Sequence, residues 1–385
     1  MVAAARPRSS RPVVSDLSMY AVDPVRGFLP ADDPPLTLPD RYREWETIRA
    51  EIDALLFTGR LRARIQRLPA IEPANLSNGE LERAMLILAV LASAYVWAGP
   101  QPARSIPPGV AIPLTALAQR LGRQPIVSHA SAVLNNWRRL DPTQPLSIDN
   151  ADTLVTFLGG VDEKWFYLAT VGVELAGAPA IGLVVNAQGA VAANDDAALA
   201  DQLRELGTVI NATTQAMLEV ERWCDPTQFY RRVRPFLASW PDAGVIYEGV
   251  SAEPQHFIGG SAAQSSLIQL FDCGLDIRHD GDRTAGFLNE MRAYMPAPHR
   301  QLLLDLEKGP SVREYVAASG LPRLIEDYDG CIHQLSRLRA QHIGITGRYI
   351  SRFTRAEDSE RGTGGTDFVP MLRQARTETD DSGIG

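Results

Sequence analysis

Apolar positions recur at intervals of three and four residues along most of this chain, which is typical of helices with one buried face. In the segment 193–223, for example, Leu199, Leu203 and Leu206 are separated by steps of four and three residues. The segment 321–353 shows the same spacing without a break. We find no internal repeat and no alternation of strands with helices, so the pattern predicts a fold that is mostly or entirely α-helical.

Helical spacing predicts a series of helices that are separated by proline-rich and glycine-rich turns. They cover residues 40–66, 79–98, 112–122, 128–140, 165–185, 193–223, 284–293, 297–308, 311–318 and 321–353. Ser77 and Glu80 form a capping-box pattern at the start of the second helix, and Pro142 and Pro179 are placed to end or break two others. For 165–185 a pair of strands is the alternative, but the length of the segment and its alanines favour a buried helix.

The composition is that of an ordinary globular protein, and 385 residues suit two domains or one large domain with a smaller lobe. The net charge of −8 argues against a nucleic-acid binder and against docking on an anionic membrane. Cys224, Cys273 and Cys331 lack CxxC spacing, which favours a reducing compartment over a disulfide framework. The segment 1–35 indicates an extended arm rather than a signal peptide. The longest apolar run, 84–98, is shorter than the ~20 residues of a membrane span.

The last predicted helix carries a histidine, His342, on its apolar face. That face consists of Leu324, Tyr328, Cys331, Leu335, Leu338, His342, Ile345 and Tyr349. The spacing alone favours a core histidine that is hydrogen-bonded to a neighbour. Two features favour a cofactor instead: Gly344 and Gly347 would let a bulky group approach the helix, and Arg339 suits a ligand with carboxylates. Haem fits both, because its iron takes an axial imidazole and it carries two propionates. Zinc is less favoured, since the histidines show no HExxH pattern.

Three further motifs each allow a functional and a purely structural interpretation. Phe229, Tyr230 and Arg234 could hold a ligand carboxylate beside an aromatic wall, or could belong to an ordinary amphipathic helix. The loop FIGGSAAQSS, 257–266, could lie against a flat ring and bind an anion through its amides, or could be a tight turn with a helix cap. The polar tail contains GTGGTDF, 362–368, which suits either a lid over a pocket or a disordered terminus.

Taken together, these motifs resemble the indoleamine 2,3-dioxygenase family of haem enzymes over nearly the whole chain. The strings that carry the resemblance are NWRRLDP (136–142), DEKWFYLATVGVELAGAPA (162–180), FYRRVRPFL (229–237), VIYEGV (245–250), FIGGSAAQSS, FLNEMRAYMPAPHR (287–300), PSVREYV (310–316), LRAQHIGITGRYI (338–350) and GTGGTDF. The resemblance implies a small N-terminal α domain with its arm, 1–157, that covers the distal side of the pocket. It also implies a large all-α haem-binding domain, 158–385, that ends with the GTGGT loop.

The resemblance implies an oxidoreductase with haem b as its cofactor and O2 as a co-substrate. Such an enzyme inserts both oxygen atoms across the indole C2=C3 bond of L-tryptophan or a related indoleamine, which gives N-formylkynurenine in the first step of the kynurenine pathway. We expect catalysis by positioning, without an acid–base residue. We also expect a cytoplasmic monomer that binds neither nucleic acid nor membrane. The alternatives are a haem-based O2 or redox sensor and another indole oxidation on the same fold.

The resemblance also implies roles for individual residues around the cofactor and the substrate. His342 corresponds to the proximal iron ligand, and Arg339, Asp272 and Ser261 correspond to residues near the haem and its propionates. The implied substrate-binding residues are Phe166, Tyr167, Phe229, Arg234, Gly260, Ser261, Ala262 and Thr366.

Several of these positions carry a more specific expectation. Arg234 matches the arginine that binds the substrate carboxylate, and Thr366 matches the loop threonine that contacts the ammonium or carboxylate. Thr170 stands where the family has a small hydroxyl residue over the distal face. His129 replaces a tyrosine of the mammalian members, and it would either hydrogen-bond the indole N–H or be an ordinary helix residue with its own partner. Ala132 replaces a cysteine in the same wall.

Overall fold

The protein is almost entirely helical, as the spacing of its apolar residues predicts. The computed structural model describes residues 11–279, 282–353 and 368–385. Its α-helices are α1 Arg43–Ala50, α2 Ile52–Phe57, α3 Leu61–Ile65, α4 Asn78–Trp97, α5 Pro108–Leu121, α6 Val161–Gly177, α7 Pro179–Ala193, α8 Asp196–Leu218, α9 Val220–Trp223, α10 Pro226–Gln228, α11 Ser266–Gly274, α12 Asp282–Arg292, α13 Ala297–Lys308, α14 Val312–Ser319, α15 Pro322–Tyr349 and α16 Phe368–Asp380.

Short irregular elements connect these helices. Single 3-10 turns lie at Leu17–Tyr20, Asp40–Tyr42, Ile148–Asn150, Arg234–Leu237, Ala262–Gln264 and Ser351–Phe353, and π-helical turns lie at Ala130–Leu134 and Phe229–Val233. In the described residues, strand structure is limited to two short pairs. The strand β1 (Ser105–Ile106) pairs in parallel with β4 (Ile246–Tyr247), and β2 (Arg138–Arg139) pairs antiparallel with β3 (Ala151–Asp152).

Helix α8 packs along α15 and also against α6 and α7, so it lies at the centre of the C-terminal helices. The helix begins at its N-cap Asp195, whose carboxylate accepts a hydrogen bond from the backbone N–H of Ala198. Leu203 and Leu206 of α8 and Leu335 of α15 are all buried. Each such leucine contributes about 1.5–3 kcal/mol through removal of its side chain from water. The predicted leucine face is therefore the face that holds these helices together.

The two most apolar segments are helices, as predicted. The capping box of α4 is formed: the Ser77 hydroxyl accepts from the backbone N–H of Glu80 at 3.4 Å, and the Glu80 carboxylate accepts from the backbone N–H of Ser77 at 2.8 Å. The segment 165–185 belongs to α6 and α7, with Pro179 opening α7, so the alternative of a strand pair is wrong. By length and composition alone Val161–Ala193 could cross a membrane, but much of it packs inside the protein.

The predicted helix 40–66 is in fact three short helices, α1 to α3. Glu51 leaves the helical conformation between α1 and α2, with φ −104° and ψ 6°. Gly59 separates α2 from α3 with φ 67°, a left-handed conformation that glycine adopts without a steric penalty. The apolar spacing of the segment survives these breaks because α1 and α3 still pack against α4, while α2 packs against α1 and α3.

The predicted helix 128–140 is also shorter than expected, because only the turn Ala130–Leu134 is helical. The side-chain amide of Asn135 donates to the carbonyl of Ala130 at 3.0 Å, which satisfies the backbone where the turn ends. The next residue, Asn136, forms a pair of hydrogen bonds with the backbone of Val155. Side-chain amides thus replace the backbone ladder that a longer helix would have used.

The C-terminal helix α16 was not predicted from the sequence. It lies in the polar tail, and its apolar residues are few and concentrated near its start. Helix α16 packs against α15 and α12. These tertiary contacts stabilise a helix that the sequence pattern did not predict.

Apolar side chains form two large clusters. One contains most of the buried residues of α1, α3, α4 and α5, and the other surrounds α7, α8, α11, α13 and α15. The first cluster also includes residues from the C-terminal half, since Phe157 stacks on Phe236 with ring centroids 4.8 Å apart. Side chains thus pack across the predicted boundary between residues 157 and 158, and the division into two domains stays a prediction.

A buried ion pair anchors α1 to α4. Arg83 is only 1% exposed, and its Nε and Nη2 donate to the two carboxylate oxygens of Glu46 at 2.6 and 2.8 Å. Its Nη1 donates to the carbonyl of Pro35 at 2.9 Å. Burial alone would raise the pKa of Glu46, but Arg83 and Arg49 outweigh this effect and lower it.

We expect Arg83→Met to lower the free energy of unfolding by about 3–5 kcal/mol, because the Glu46 carboxylate loses its buried partner. The matched control is Arg43→Met, which removes the exposed i,i+3 pair with Asp40 and should leave the free energy of unfolding nearly unchanged, because water screens such a pair. Denaturant unfolding of both variants measures the difference. Equal losses in the two variants would contradict the assignment of Arg83 as a buried anchor.

Candidate active site

A largely apolar cavity of about 270 Å³ lies between α6, α11, α15, α16 and the loop that precedes α11. Its wall brings together residues that are far apart in the sequence, namely His129, Ala132, Phe166, Tyr167, Thr170, Gly260, Ser261, Ala262, Asp272, Arg339 and His342. An apolar wall with a few polar groups is typical of sites for small organic ligands. A neighbouring cavity of about 430 Å³ shares Asp272 and Leu288 with it but is lined mainly by polar and charged side chains, which suits an aromatic ligand less well.

The imidazole of His342 faces this cavity from the middle of α15. Burial and the nearby Arg339 guanidinium lower the pKa of His342 to about 4, so the ring is neutral near pH 7. Among the described residues, no hydrogen bond to the ring is found. A neutral imidazole with an uncommitted nitrogen in an apolar cavity can act as an axial metal ligand. The core-histidine alternative required a hydrogen-bonded neighbour, and the described residues supply none.

The glycines near His342 do not line the cavity. A methyl group at Gly344 would come within 3.2 Å of the Arg348 guanidinium, and one at Gly347 would meet open space. The sequence argument that these glycines leave room for a bulky group in the pocket therefore finds no support in the fold.

The guanidinium of Arg339 reaches the cavity one helical turn before His342. Its Nη2 donates to the carboxylate of Asp272, and its Nη1 donates to the carbonyl of Ala375 at 2.9 Å. Its Nε is buried without a hydrogen-bond partner in the described part of the chain. Arg339 thus keeps one buried donor beside the cavity, and a carboxylate of a bound cofactor would satisfy that donor. This orphaned donor and the uncommitted ring of His342 fit a haem.

Asp272 also contacts a histidine that the sequence did not indicate. The Nε2 of His279 lies 3.2 Å from Asp272, and its Nδ1 lies 2.6 Å from the carboxylate of Glu378 on α16. Burial alone would raise the pKa of Asp272, but Arg339 and His279 outweigh it and lower it. A cation on each side therefore holds this buried carboxyl group in its ionised form.

Helix α6 presents aromatic and hydroxyl side chains to the cavity. Phe166 packs against Tyr167 and against Phe229, with ring centroids 5.6 and 4.6 Å apart. The Thr170 hydroxyl donates to the carbonyl of Phe166 at 2.8 Å, so its lone pairs remain as acceptors. Tyr167 is buried, and burial with the nearby Glu163 raises the pKa of its hydroxyl well above the usual range. The wall formed by α6 is therefore aromatic and uncharged at neutral pH around Phe166.

One turn of α6 beyond Thr170, the cavity wall contains a buried polar cluster. The ring Nε2 of His129 lies 2.8 Å from Oε1 of Glu174, and the hydroxyl of Ser265 donates to the same oxygen at 2.7 Å. The backbone N–H of His129 donates to Oε1 of Gln264 at 3.0 Å. His129 therefore has partners of its own, and it also lines the cavity.

Three of the predicted substrate residues are not part of the described cavity wall. Phe229 is buried behind Phe166 and contacts the Tyr349 ring at 5.7 Å. Arg234 lies with its guanidinium carbon 5.2 Å from the Tyr230 ring centroid, and burial lowers its pKa. Thr366 lies outside the described residues. The segment 229–237, for which an amphipathic helix was one of two interpretations, forms a π turn followed by a 3-10 turn.

Two groups of cavity residues were missed by the sequence argument. Glu174 lines the cavity, and the signal that could have found it is that it is the only acidic residue in the apolar segment 165–185. Met371, Leu372 and Ala375 of α16 also line the cavity. They gave no usable signal, because the helix that presents them lies in a polar tail.

Among the described residues, no cluster of three or more His, Cys, Asp or Glu side chains could hold a metal ion by itself. A metal bound by His342 would therefore take its other ligands from an organic cofactor, as the iron of haem does.

Comparison with known proteins gives a consistent result along the chain. The family model described as indoleamine 2,3-dioxygenase matches residues 16–382. Indoleamine 2,3-dioxygenase 2 of Mus musculus is 36% identical, with 94% of each chain covered. Indoleamine 2,3-dioxygenase 1 of Rattus norvegicus is also 36% identical, with 94% of each chain covered. Indoleamine 2,3-dioxygenase of Saccharomyces cerevisiae is 34% identical, with 94% of this chain and 92% of the yeast protein covered.

The free energy of unfolding should depend on pH through the protonation of His279. Burial alone would lower the pKa of this histidine, but Asp272 and Glu378 outweigh both burial and Arg339, and the pKa is raised above its ordinary value of 6.5. Because the pKa is higher in the folded state, the protonated ring contributes its full stabilisation of the fold below pH 6.5. This contribution is lost as the pH rises through the raised pKa.

We therefore expect His279→Gln to be less stable than the unmodified protein at pH 6, by about 1–3 kcal/mol, the usual cost of leaving a buried charge without its partner. The difference should shrink as the pH is raised to about 9. Unfolding free energies across this range measure it, with the exposed His256→Gln as the control. A difference that stays constant or grows with pH would show that the protonated ring does not hold α16.

Proposed function

The chain belongs to the indoleamine 2,3-dioxygenase family, and from this we propose that it is a haem-dependent dioxygenase that acts on L-tryptophan or a related indoleamine. The reaction inserts both atoms of O2 across the indole C2=C3 bond and gives N-formylkynurenine, in the first step of the kynurenine pathway. The observation that carries the proposal is the neutral, uncommitted imidazole of His342 in an apolar cavity. The family match alone would not say which histidine binds the iron.

We propose that His342 would bind the iron of haem b and that Arg339 would bind one of its propionates. The unpartnered Nε of Arg339 supports this role, since a carboxylate is the natural partner of a buried guanidinium donor. Asp272 holds the arginine in place through Nη2 of its guanidinium. Ser261 lines the same cavity, which supports the proposal that it lies near this cofactor.

The substrate indole is proposed to lie against Phe166 and Tyr167 of α6 and the loop that contains Gly260 and Ala262. These groups offer a flat apolar surface and backbone amides, which suit an aromatic ring system. Phe229 supports this wall from behind through its contact with Phe166.

The polar parts of the substrate need separate partners. We propose that Arg234 binds the substrate carboxylate and that Thr366 contacts the carboxylate or ammonium, in line with the family resemblance. Arg234 lies beside the Tyr230 ring, and its guanidinium can bind a carboxylate through two parallel hydrogen bonds. Thr170 supplies a small hydroxyl over the distal face, and His129 accepts the indole N–H.

Bound haem supplies the iron chemistry that activates O2. The chain itself positions the indole, keeps the ring of His342 neutral and surrounds the reacting groups with apolar side chains. No paired carboxylates are needed for acid–base work. Both oxygen atoms enter the product, so no external reductant is consumed in a turnover.

We further propose a cytoplasmic monomer without a nucleic-acid or membrane partner. The net charge of −8 and the burial of the most apolar helices in the interior support this proposal.

The direct test is to mix the reduced, haem-loaded protein with L-tryptophan and O2. We expect N-formylkynurenine to accumulate, with its absorbance and mass as the measurement. A normal haem spectrum without this product would refute the dioxygenase proposal. That outcome would favour a haem-based O2 or redox sensor, whereas a different oxidised indole would indicate another reaction on the same fold.

The haem ligand is tested by His342→Ala, with His333→Ala as the matched control on an exposed position of the same helix. We expect His342→Ala to weaken haem binding at least about tenfold, which corresponds to about 1.4 kcal/mol, because the iron loses its protein ligand. Haem content and the Soret absorption after gel filtration measure the effect. Retention of haem with an unchanged spectrum in His342→Ala would mean that another group binds the iron.

A further inference from the structure

We propose that Glu174 is a positioning residue for His129, and that the pair makes the cavity selective for ligands that carry an indole N–H. This inference rests on the proposed function, because it states how the same site recognises the indole ring. It concerns a residue that is buried in the middle of an apolar helix and that the reaction does not require as an acid or base.

The carboxylate of Glu174 is 2% exposed, and the His129 ring that it contacts is 6% exposed. Removing a carboxylate from water is costly unless donors replace the lost water. Within the described part of the chain, the donors to Oε1 are His129 and Ser265, while Oε2 is without a hydrogen-bond partner. The contact with His129 is therefore a large share of what stabilises this carboxylate, and the two side chains depend on each other.

This contact determines how the His129 ring presents itself. An ionised carboxylate can only accept hydrogen bonds, so the ring nitrogen that faces it, Nε2, must carry the proton. In the neutral ring Nδ1 is then an acceptor. No hydrogen bond to Nδ1 is found among the described residues, and the ring lines the cavity. In this proposal Nδ1 is the acceptor that the ring offers to the cavity.

A second set of contacts holds the backbone of His129. Oε1 of Gln264 accepts from the backbone N–H of His129 at 3.0 Å, and Nε2 of Gln264 donates to the carbonyl of Gly259 at 2.9 Å. Gln264 thus ties His129 to the loop that also lines the cavity. His129 is therefore held both at Nε2 and through its backbone.

Glu174 lies on the same face of α6 as the proposed indole-binding wall. Phe166, Thr170 and Glu174 are four residues apart, which places them one above the other along the helix, and all three line the cavity. The acceptor and the aromatic wall are therefore set by one rigid helix. An indole has a single ring N–H, and a buried acceptor that stays unpaired penalises an analogue without that group.

The test compares L-tryptophan with the tryptophan analogue whose ring N–H is replaced by sulfur, which has nearly the same shape and no donor. Dissociation constants on the haem-loaded protein are measured by calorimetry without O2, so that no turnover is needed. The unmodified protein should bind tryptophan at least about tenfold more tightly than the sulfur analogue. Little or no preference would overturn the inference.

Variants then assign the preference to the pair. Glu174→Met and His129→Phe should each reduce the ratio to about one, and the double variant should reduce it no further, because the two residues act as one unit. Glu174→Gln keeps an oxygen that can accept from Nε2, so it should retain most of the preference. Additive losses, or a wild-type ratio in Glu174→Met, would contradict a positioning role. Should Glu174→Met not fold, Glu174→Asp serves in its place, because its shorter side chain withdraws the carboxylate from the ring.

The control is Glu163→Gln, which changes another buried glutamate of α6. Glu163 accepts from the backbone N–H groups of Phe157, Leu158 and Gly159 and does not line the cavity. This variant should lower stability without changing the binding ratio. A loss of the ratio here would show that any damage to α6 has the same effect, which would overturn the specific role of Glu174.

A spectroscopic measurement gives a second readout. With nitrogen-15-labelled histidine, the signal that disappears in His129→Phe identifies this ring. It should show a proton on Nε2 in the unmodified protein and lose this preference in Glu174→Met. A ring protonated on Nδ1 alone would refute the proposed orientation. If tryptophan binds with the expected ratio but no N-formylkynurenine forms, only the proposed reaction fails; if tryptophan does not bind at all, both proposals fail.

Discussion

The wall of the cavity depends on one buried carboxylate, Asp272. It accepts from Arg339 of α15 and contacts His279, which in turn contacts Glu378 of α16. Three separate segments are thereby tied to α11, and the same arginine also binds the backbone of α16. Without Asp272 the buried guanidinium of Arg339 would lose its carboxylate partner and the ring of His279 would keep only Glu378, which is costly in a protein interior. The position of the cavity beside α15 follows from this network.

The cavity is apolar in its middle and polar at two places on its wall. On one side the network of Asp272 places a cation near His342, which helps to lower the pKa of that ring and keeps it neutral. On the other side the carboxylate of Glu174 is held by His129 and Ser265. Both clusters satisfy most of their own polar atoms, so the space between them stays suited to a flat, largely apolar ligand. Their remaining uncommitted groups are the ones that a cofactor and a substrate would use.

Much of this arrangement could be predicted from the sequence, and the rest could not, for identifiable reasons. The inward direction of His342 followed from the spacing of α15, and Thr170 and Phe166 followed from the family strings. The breaks in the predicted helix 40–66 depend on a left-handed glycine, and the early end of the predicted helix 128–140 depends on an asparagine side chain that bonds the backbone. Both breaks depend on single residues, whereas the helix predictions rest on the spacing of apolar residues over a longer segment. The assignment of Phe229 to the cavity wall was not reproduced, because that ring packs behind Phe166.

The sequence by itself determined the mostly α-helical fold, the buried face of each long helix, the inward position of His342 and the family to which the chain belongs. Those properties are local, because a helix brings together residues three and four positions apart, or they are carried by ordered strings of residues. Only the tertiary structure decided that α16 closes the cavity, that His279 joins Asp272 to Glu378, and that Glu174 meets His129 and Ser265. These contacts link positions that are 45 and 91 residues apart for Glu174 and 99 residues apart for His279 and Glu378. Such pairs depend on how helices pack and turns redirect the chain, and helical periodicity contains no information about either.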